Sequence, residues 1–123
     1  MEKVLFASAE DDEDLIVSFV TPGEGYSDGD AIDVKSLILL RSPQYEAALY
    51  EYERGVNVSY GDLPDDEHDL LEEIEFRSDV VHIRTTHKTY DLDISGVDAD
   101  EITKAKRVLE KMNFDGRFEL RTV

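Results

Sequence analysis

The sequence predicts an α+β fold, a mainly antiparallel sheet with one C-terminal amphipathic helix packed on one face. In several segments apolar residues recur at every second position, which is typical of strands that bury one face. Near the C-terminus, apolar residues recur at helical spacing behind a capping residue. With 123 residues the chain has the length of one domain, so we expect residues 1–123 to form a single domain.

Three strands are expected in the N-terminal half, at residues 3–9, 15–20 and 32–40. The acidic run at residues 10–14 marks a turn, because five adjacent carboxylates cannot be buried together. Residues 15–20 are almost continuously apolar, which indicates a central strand covered on both faces. Three glycines and a proline between residues 21 and 30 predict a loop before the third strand.

Residues 43–54 fit two structures. Ser42 as cap, Pro43 at the first helical position and Gly55 after the last turn favour a helix. The alternation of alanine and tyrosine with leucine and glutamate over residues 48–53 favours an edge strand. We expect a short helical turn followed by a strand from about residue 48, with a further strand at residues 56–60.

Residues 74–94 predict a three-stranded meander, because their apolar residues fall two apart in three successive runs. Turns at residues 77–80 and 86–89 would place two acids across from each base of the middle strand. These expected pairings are Arg84 with Glu73 and Asp91, and His82 with Glu75 and Asp93.

The C-terminal helix has the clearest signals. Asp98 is an N-cap residue, and Glu101 follows three positions later as in a capping box. The apolar residues from Ile102 to Met112 share one face of a helical wheel, which predicts that this face packs on the sheet. Residues 118–123 are expected to form a short closing strand.

Charge is distributed unevenly. The chain has 30 acidic and 13 basic residues, a formal charge of −17. Residues 1–75 hold 21 acids and four bases, whereas residues 76–123 hold nine of each. Two explanations remain open: the acidic part is a solubilising surface, or it binds a basic partner. A nucleic-acid partner is disfavoured because phosphate binding needs basic residues.

Neither a membrane span nor a secretory leader is expected from the sequence. A span needs about 20 consecutive apolar residues, and no run approaches that length. The N-terminus lacks a basic region before an apolar one. We therefore expect a cytoplasmic protein without membrane contact.

The sequence does not favour an enzyme or a metal site. There is no cysteine and there are three histidines. Residues 28–33 resemble a calcium loop in composition, but their glycine falls at the second position instead of the sixth. The Gly-x-Ser-x-Gly signature of a nucleophile elbow is absent. We expect no metal and no cofactor, and a hydrolase that uses the histidines and acids is the weakest hypothesis.

Tyrosines beside an acidic segment form the candidate partner-binding site. Tyrosine is enriched at binding hot spots because it joins a large apolar area to a hydroxyl group. Residues 61–69 are expected to be an exposed acidic loop. Although core packing is the alternative for any single tyrosine, we expect the partner surface to consist of Tyr50, Tyr52, Tyr60, Asp65, Asp66, Glu67 and Asp69.

The order of several short motifs resembles a known family. The motifs are Tyr-Glu-Tyr-Glu at residues 50–53, Tyr60-Gly61, the strand segments around Ile74 and Ile83, residues 90–94, and the helix that ends at Met112. Together they resemble the tenth-numbered family of immunity proteins from bacterial polymorphic toxin systems. Asp62 stands where that family often has a second glycine.

This resemblance implies a non-enzymatic antitoxin that binds and neutralises a cognate toxin domain, without a cofactor. Many such toxins are nucleases with basic clefts, which would fit an acidic binding protein. The alternative is an acidic adaptor, or a nucleic-acid mimic, that binds a basic cellular protein.

Overall fold

A computed structural model describes residues 1–23, 34–61 and 69–123. These residues form nine strands, one α-helix and two short 3₁₀ helices. The strands are β1 (Glu2–Lys3), β2 (Phe6–Asp11), β3 (Leu15–Pro22), β4 (Val34–Arg41), β5 (Asn57–Tyr60), β6 (Leu71–Phe76), β7 (Val80–Thr85), β8 (Thr89–Asp93) and β9 (Glu119–Thr122). The helix α1 spans Ala99–Met112, and the 3₁₀ helices span Pro43–Ala48 and Glu51–Glu53.

The strands form two sheets, and the predicted α+β class is confirmed. One sheet has the order β2-β3-β4-β5 and is antiparallel throughout. The other has the order β1-β8-β7-β6-β9, with an antiparallel centre and a parallel strand at each edge. No helix among the described residues has the length and apolar character needed to cross a membrane.

The chain connects the two sheets at two places. The strand expected at residues 3–9 is divided, because the Val4 amide donates to Asp93 in one sheet and the Leu5 amide donates to Val20 in the other (2.8 and 2.7 Å). At the second place, Asn57 forms an antiparallel bridge with Leu70. Both sheets therefore contribute to one hydrophobic core.

Helix α1 packs against β2 and β3 as the sequence predicts. Its buried residues are Ala105, Val108, Leu109 and Met112. Small residues on β2, Ala7 and Ala9, are buried there and give the helix room to approach. Asp98 caps the helix by accepting from the Asp100 amide (2.8 Å). Glu101 Oε1 accepts from the Ala7 amide (2.8 Å), so the helix covers a polar group on the edge strand.

The strand expected from about residue 48 is wrong, and 3₁₀ helices occupy this segment. The alternating pattern favours a strand, but a strand also needs a partner to pair with. Both edges of β4 are already occupied, by β3 and by β5. The helical turn expected after Pro43 is present.

The expected meander register is right in the first hairpin and shifted by two residues in the second. Glu73 faces Arg84 and Glu75 faces His82. His82 faces Asp91 instead of Asp93, and Arg84 faces Thr89 instead of Asp91. The cause is a tighter turn, in which the Thr85 amide donates to the Lys88 carbonyl (2.8 Å). A two-residue shift keeps every side chain on its expected face.

Candidate protein-binding surface

Tyr50 and Tyr52 are the most exposed of the expected site residues in the part of the chain that the structure describes. Their side chains are 71% and 76% exposed. The two rings stack, with centroids 5.7 Å apart and planes 5° from parallel. The sequence predicted a strand here, whereas in the structure Tyr50 is the N-cap of the second 3₁₀ helix and Tyr52 lies in the middle of that helix. Stacking leaves a large aromatic area available to a partner.

Tyr60 lies apart from this pair and packs against the core. Its hydroxyl hydrogen-bonds the Thr21 hydroxyl (2.7 Å), and its ring meets that of Tyr90 edge to face. These contacts fix Tyr60 between β3, β5 and β8. Its position is that of a structural residue, the alternative that the sequence had left open for single tyrosines.

Asp69 does not belong to an exposed loop, contrary to the expectation for residues 61–69. It is 6% exposed. Its carboxylate accepts from the His87 amide (3.1 Å), and its carbonyl accepts from the Val58 amide (2.9 Å). Asp69 thus lies between β5 and the turn that joins β7 to β8, and its hydrogen bonds to both explain why it is buried. The other three acids of the candidate site, Asp65, Asp66 and Glu67, lie outside the described residues, as does the calcium-like segment 28–33.

We call residues 43–54 the tyrosine segment. The residue that organises this segment is Arg41, which was not a candidate from the sequence. Arg41 is 0% exposed. Its five N–H donors all have partners: two bond the Glu46 carboxylate (2.8 and 2.8 Å), two bond the Asp115 carboxylate (2.8 and 2.9 Å), and one bonds the Met112 carbonyl (2.7 Å). The end of β4, the first 3₁₀ helix and the end of α1 are thereby joined.

The charges around Arg41 stabilise each other. Burial disfavours the guanidinium charge, but hydrogen bonds with Asp115 and Glu46 raise the pKa of Arg41 above its ordinary value. Hydrogen bonds from Arg41 lower the pKa of Asp115 and of Glu46. A buried arginine with two carboxylates needs this complete set of bonds, because an unpaired buried charge is costly.

Two further arginines hold the backbone of the tyrosine segment. Arg54 donates to the Leu49 carbonyl through Nε and Nη2 (3.3 and 3.2 Å). Arg117 donates through Nη1 to the carbonyls of Glu51 and Arg54 (3.0 and 3.4 Å). These side chains bind carbonyls that have no strand partner. The segment is thus fixed by side chains where a sheet ladder is missing.

Other exposed apolar side chains lie in or next to the segments that Arg41, Arg54 and Arg117 join. Tyr45 is 65% exposed, Leu49 is 38% exposed and Phe114 is 61% exposed. Phe114 lies over the Arg41 guanidinium, whose carbon is 4.1 Å from the ring centroid. We define the aromatic end as Tyr45, Leu49, Tyr50, Tyr52 and Phe114. Tyr45, Leu49 and Phe114 were not candidates from the sequence, although Asp115-Gly116 directly after Phe114 predicts a turn at the surface.

We expect the buried ion pair with Glu46 to shape the acid stability of the fold. Since Arg41 lowers the pKa of Glu46 from its ordinary 4.5, the folded chain binds fewer protons than the unfolded chain below about pH 4.5. This stabilisation is present above that pH and is lost as the pH falls through the lowered pKa. Glu46→Gln should therefore show a smaller loss of unfolding free energy between about pH 5 and pH 2, measured by urea denaturation.

The matched control is Glu72→Gln, which changes an exposed carboxylate 3.3 Å from Arg84. Exposed ion pairs contribute about 0–1 kcal/mol, so this variant should keep the wild-type pH profile. A Glu46→Gln profile that parallels the wild type would contradict the assignment.

Within the described residues, no three histidine or acidic side chains are grouped to hold a metal ion. His82 Nδ1 lies 2.6 Å from Asp91 Oδ1 on the outer face of the meander, as a cross-strand pair. Comparison with known proteins adds no relative: no family model, no curated protein and no solved structure matches this chain.

Proposed function

We propose that this chain is an immunity protein that binds and neutralises a cognate, basic toxin domain without performing chemistry itself. The observation that carries the proposal is the exposed, stacked pair Tyr50 and Tyr52 on a backbone held by Arg54 and Arg117. Rigid aromatic side chains bind with little loss of conformational entropy, which is why they dominate hot spots.

Charge supports a basic partner. With a formal charge of −17, the chain attracts a basic protein over a distance set by ionic strength, and such steering accelerates association. A toxin cleft that binds phosphates is basic, so an acidic protein can occupy it and exclude the substrate. The resemblance in motif order to an immunity family points the same way. A general acidic adaptor or nucleic-acid mimic is the second candidate, because the same charge would attract other basic proteins.

Co-expression tests the proposal. The probe is the C-terminal domain encoded by the upstream neighbouring reading frame, produced in a bacterial host with and without this chain. We expect the domain to stop growth alone and the chain to restore growth, with a stable complex on size-exclusion chromatography. Growth arrest that persists at full expression of the folded chain would contradict the proposal. Binding to basic cellular proteins without protection would favour the adaptor.

A further inference from the structure

The turn between β2 and β3 is acidic and lies at the same end of the molecule as the aromatic end. We define the acidic tip as residues 10–14, which are all acidic. Leu15, the next residue, pairs with Arg41 at the end of β4. Asp11 forms an ion pair with Lys111 in the last turn of α1. The acidic tip therefore lies at the same end of the molecule as the Arg41 network.

The acidic tip is poorly neutralised. Asp11 pairs with Lys111, but Asp12 and Glu13 have no ion pair with any described residue. Asp14 has a buried carboxylate oxygen, Oδ1, that accepts no hydrogen bond within the described chain. A buried acceptor without a donor costs free energy, so hydrogen bonding within the described chain does not stabilise the negative charge of Asp14 at this oxygen.

Counted over the three segments that meet at this end, acids outnumber bases. Residues 10–14, 41–54 and 110–117 hold ten acids and four bases. Three of the four bases, Arg41, Lys111 and Arg117, are already engaged with carboxylates. Exposed aromatic rings thus stand beside uncompensated negative charge.

We propose that the acidic tip, with Tyr45 and Phe114, docks an arginine-rich segment of a protein partner. This deepens the proposed function and rests on it for the biological identity of the partner. Arginine fits both parts of the surface, because its guanidinium donates to carboxylates while its flat face and stem cover aromatic rings. A hydrated metal ion would make no use of the apolar rings. The exposed carboxylates of Asp12 and Glu13 are the acceptors that a guanidinium at this place would meet.

The surface can be tested with defined peptides. The probe is an eight-residue peptide of alternating arginine and leucine, titrated into the ¹⁵N-labelled chain and followed by amide chemical shifts. We expect the largest shifts at residues 10–15, 44–46 and 111–115. A peptide of alternating arginine and serine, with equal charge, should bind more weakly because it cannot cover the rings. Equal affinity of the two peptides, or shifts spread evenly over the acidic surface, would overturn the proposal.

Matched double variants test whether the acids of the acidic tip, and not acids elsewhere, bind the peptide. Asp12→Asn/Glu13→Gln should weaken binding of the arginine-leucine peptide about threefold to tenfold, the effect of two exposed charge pairs. The control Asp79→Asn/Asp100→Asn removes two exposed acids near the other end of α1, about 20 Å away, and should change affinity less than twofold. Equal effects of the two double variants would show that overall charge alone attracts the peptide and would overturn the proposal.

One further variant separates this inference from the proposed function. Tyr45→Ser should reduce the preference for leucine over serine peptides, with the melting temperature unchanged. The peptide result depends only on the surface, whereas protection from the toxin domain depends on the biological partner. Localised peptide binding without protection would leave the docking surface standing and refute the immunity function. Protection without localised peptide binding would refute the docking surface and leave the immunity function standing.

Discussion

Replacing Arg41 by methionine is expected to lower the free energy of unfolding by about 3–5 kcal/mol, the range for breaking a buried ion pair by removing one partner. Methionine fills a similar space, so the main loss is electrostatic. Glu46 and Asp115 would keep their charges in a site where their four hydrogen bonds with Arg41 no longer form. Domains of this size have about 5–15 kcal/mol in total, so the loss is a large fraction.

The control for Arg41→Met is Arg84→Met on the exposed face of the meander. Arg84 also contacts two carboxylates, those of Glu72 and Glu73 (3.3 and 3.4 Å), but its side chain is 47% exposed. We expect a loss of about 0–1 kcal/mol there. Urea denaturation of both variants at neutral pH measures the difference, and similar losses for the two would contradict a special role for burial.

Measurements at acid pH give an independent check on why Arg41→Met destabilises the fold. Below about pH 4.5 the wild type loses stability, because the unfolded chain takes up protons that the folded chain, in which Arg41 lowers the pKa of Glu46 and of Asp115, does not bind. In Arg41→Met, protonation of the same two carboxyls removes the uncompensated charge that the variant leaves behind. The destabilisation caused by Arg41→Met should therefore be smaller near pH 3 than at pH 7. A destabilisation independent of pH would mean that lost packing, and not lost charge pairing, explains the variant.

The elements that could be predicted from the sequence are those with local signals. Asp98 caps α1 and Met112 ends it, because capping and the helical wheel are properties of consecutive residues. The faces of β6, β7 and β8 are right because alternation alone decides them. The partner across from His82 was wrong because it depends on the Thr85–Lys88 turn, where the Thr85 hydroxyl donates to the Lys88 carbonyl (3.1 Å).

The Arg41 network could not be predicted in this way. Arg41 and Asp115 are separated by 74 positions, and periodicity carries no information about contacts at that distance. The same limitation explains residues 48–53, whose alternation predicts a strand although β5 already occupies the edge of β4. For the candidate site, tyrosine content predicted the exposed pair Tyr50 and Tyr52. It could not separate them from Tyr60, whose burial depends on Thr21 and Tyr90 in other strands.

The functional variant with the largest expected effect is Tyr50→Ser/Tyr52→Ser. It should weaken binding to the neighbouring toxin domain at least about 30-fold, equivalent to the roughly 2 kcal/mol that defines a hot spot. The melting temperature should stay within about 1–2 °C, because both rings are exposed and because Arg54 and Arg117 still bond the backbone of this segment in the variant. Most of the loss should fall on the dissociation rate, since no charge is removed.

Two controls make this result specific to the tyrosine pair. Phe6→Ser alters an apolar ring that is 48% exposed at the start of β2, at the far end of that strand from the acidic tip, and should leave affinity unchanged. Tyr50→Phe/Tyr52→Phe keeps the stacked rings and removes the hydroxyls, so retained affinity in this variant would assign binding to the aromatic area. Toxin binding by Tyr50→Ser/Tyr52→Ser at wild-type affinity and dissociation rate would exclude the pair from the interface. The acidic tip with Tyr45 and Phe114 would then remain as the surface to test. The ion pair of Asp11 with Lys111 and the contact of Phe114 with Arg41 do not involve Tyr50 or Tyr52.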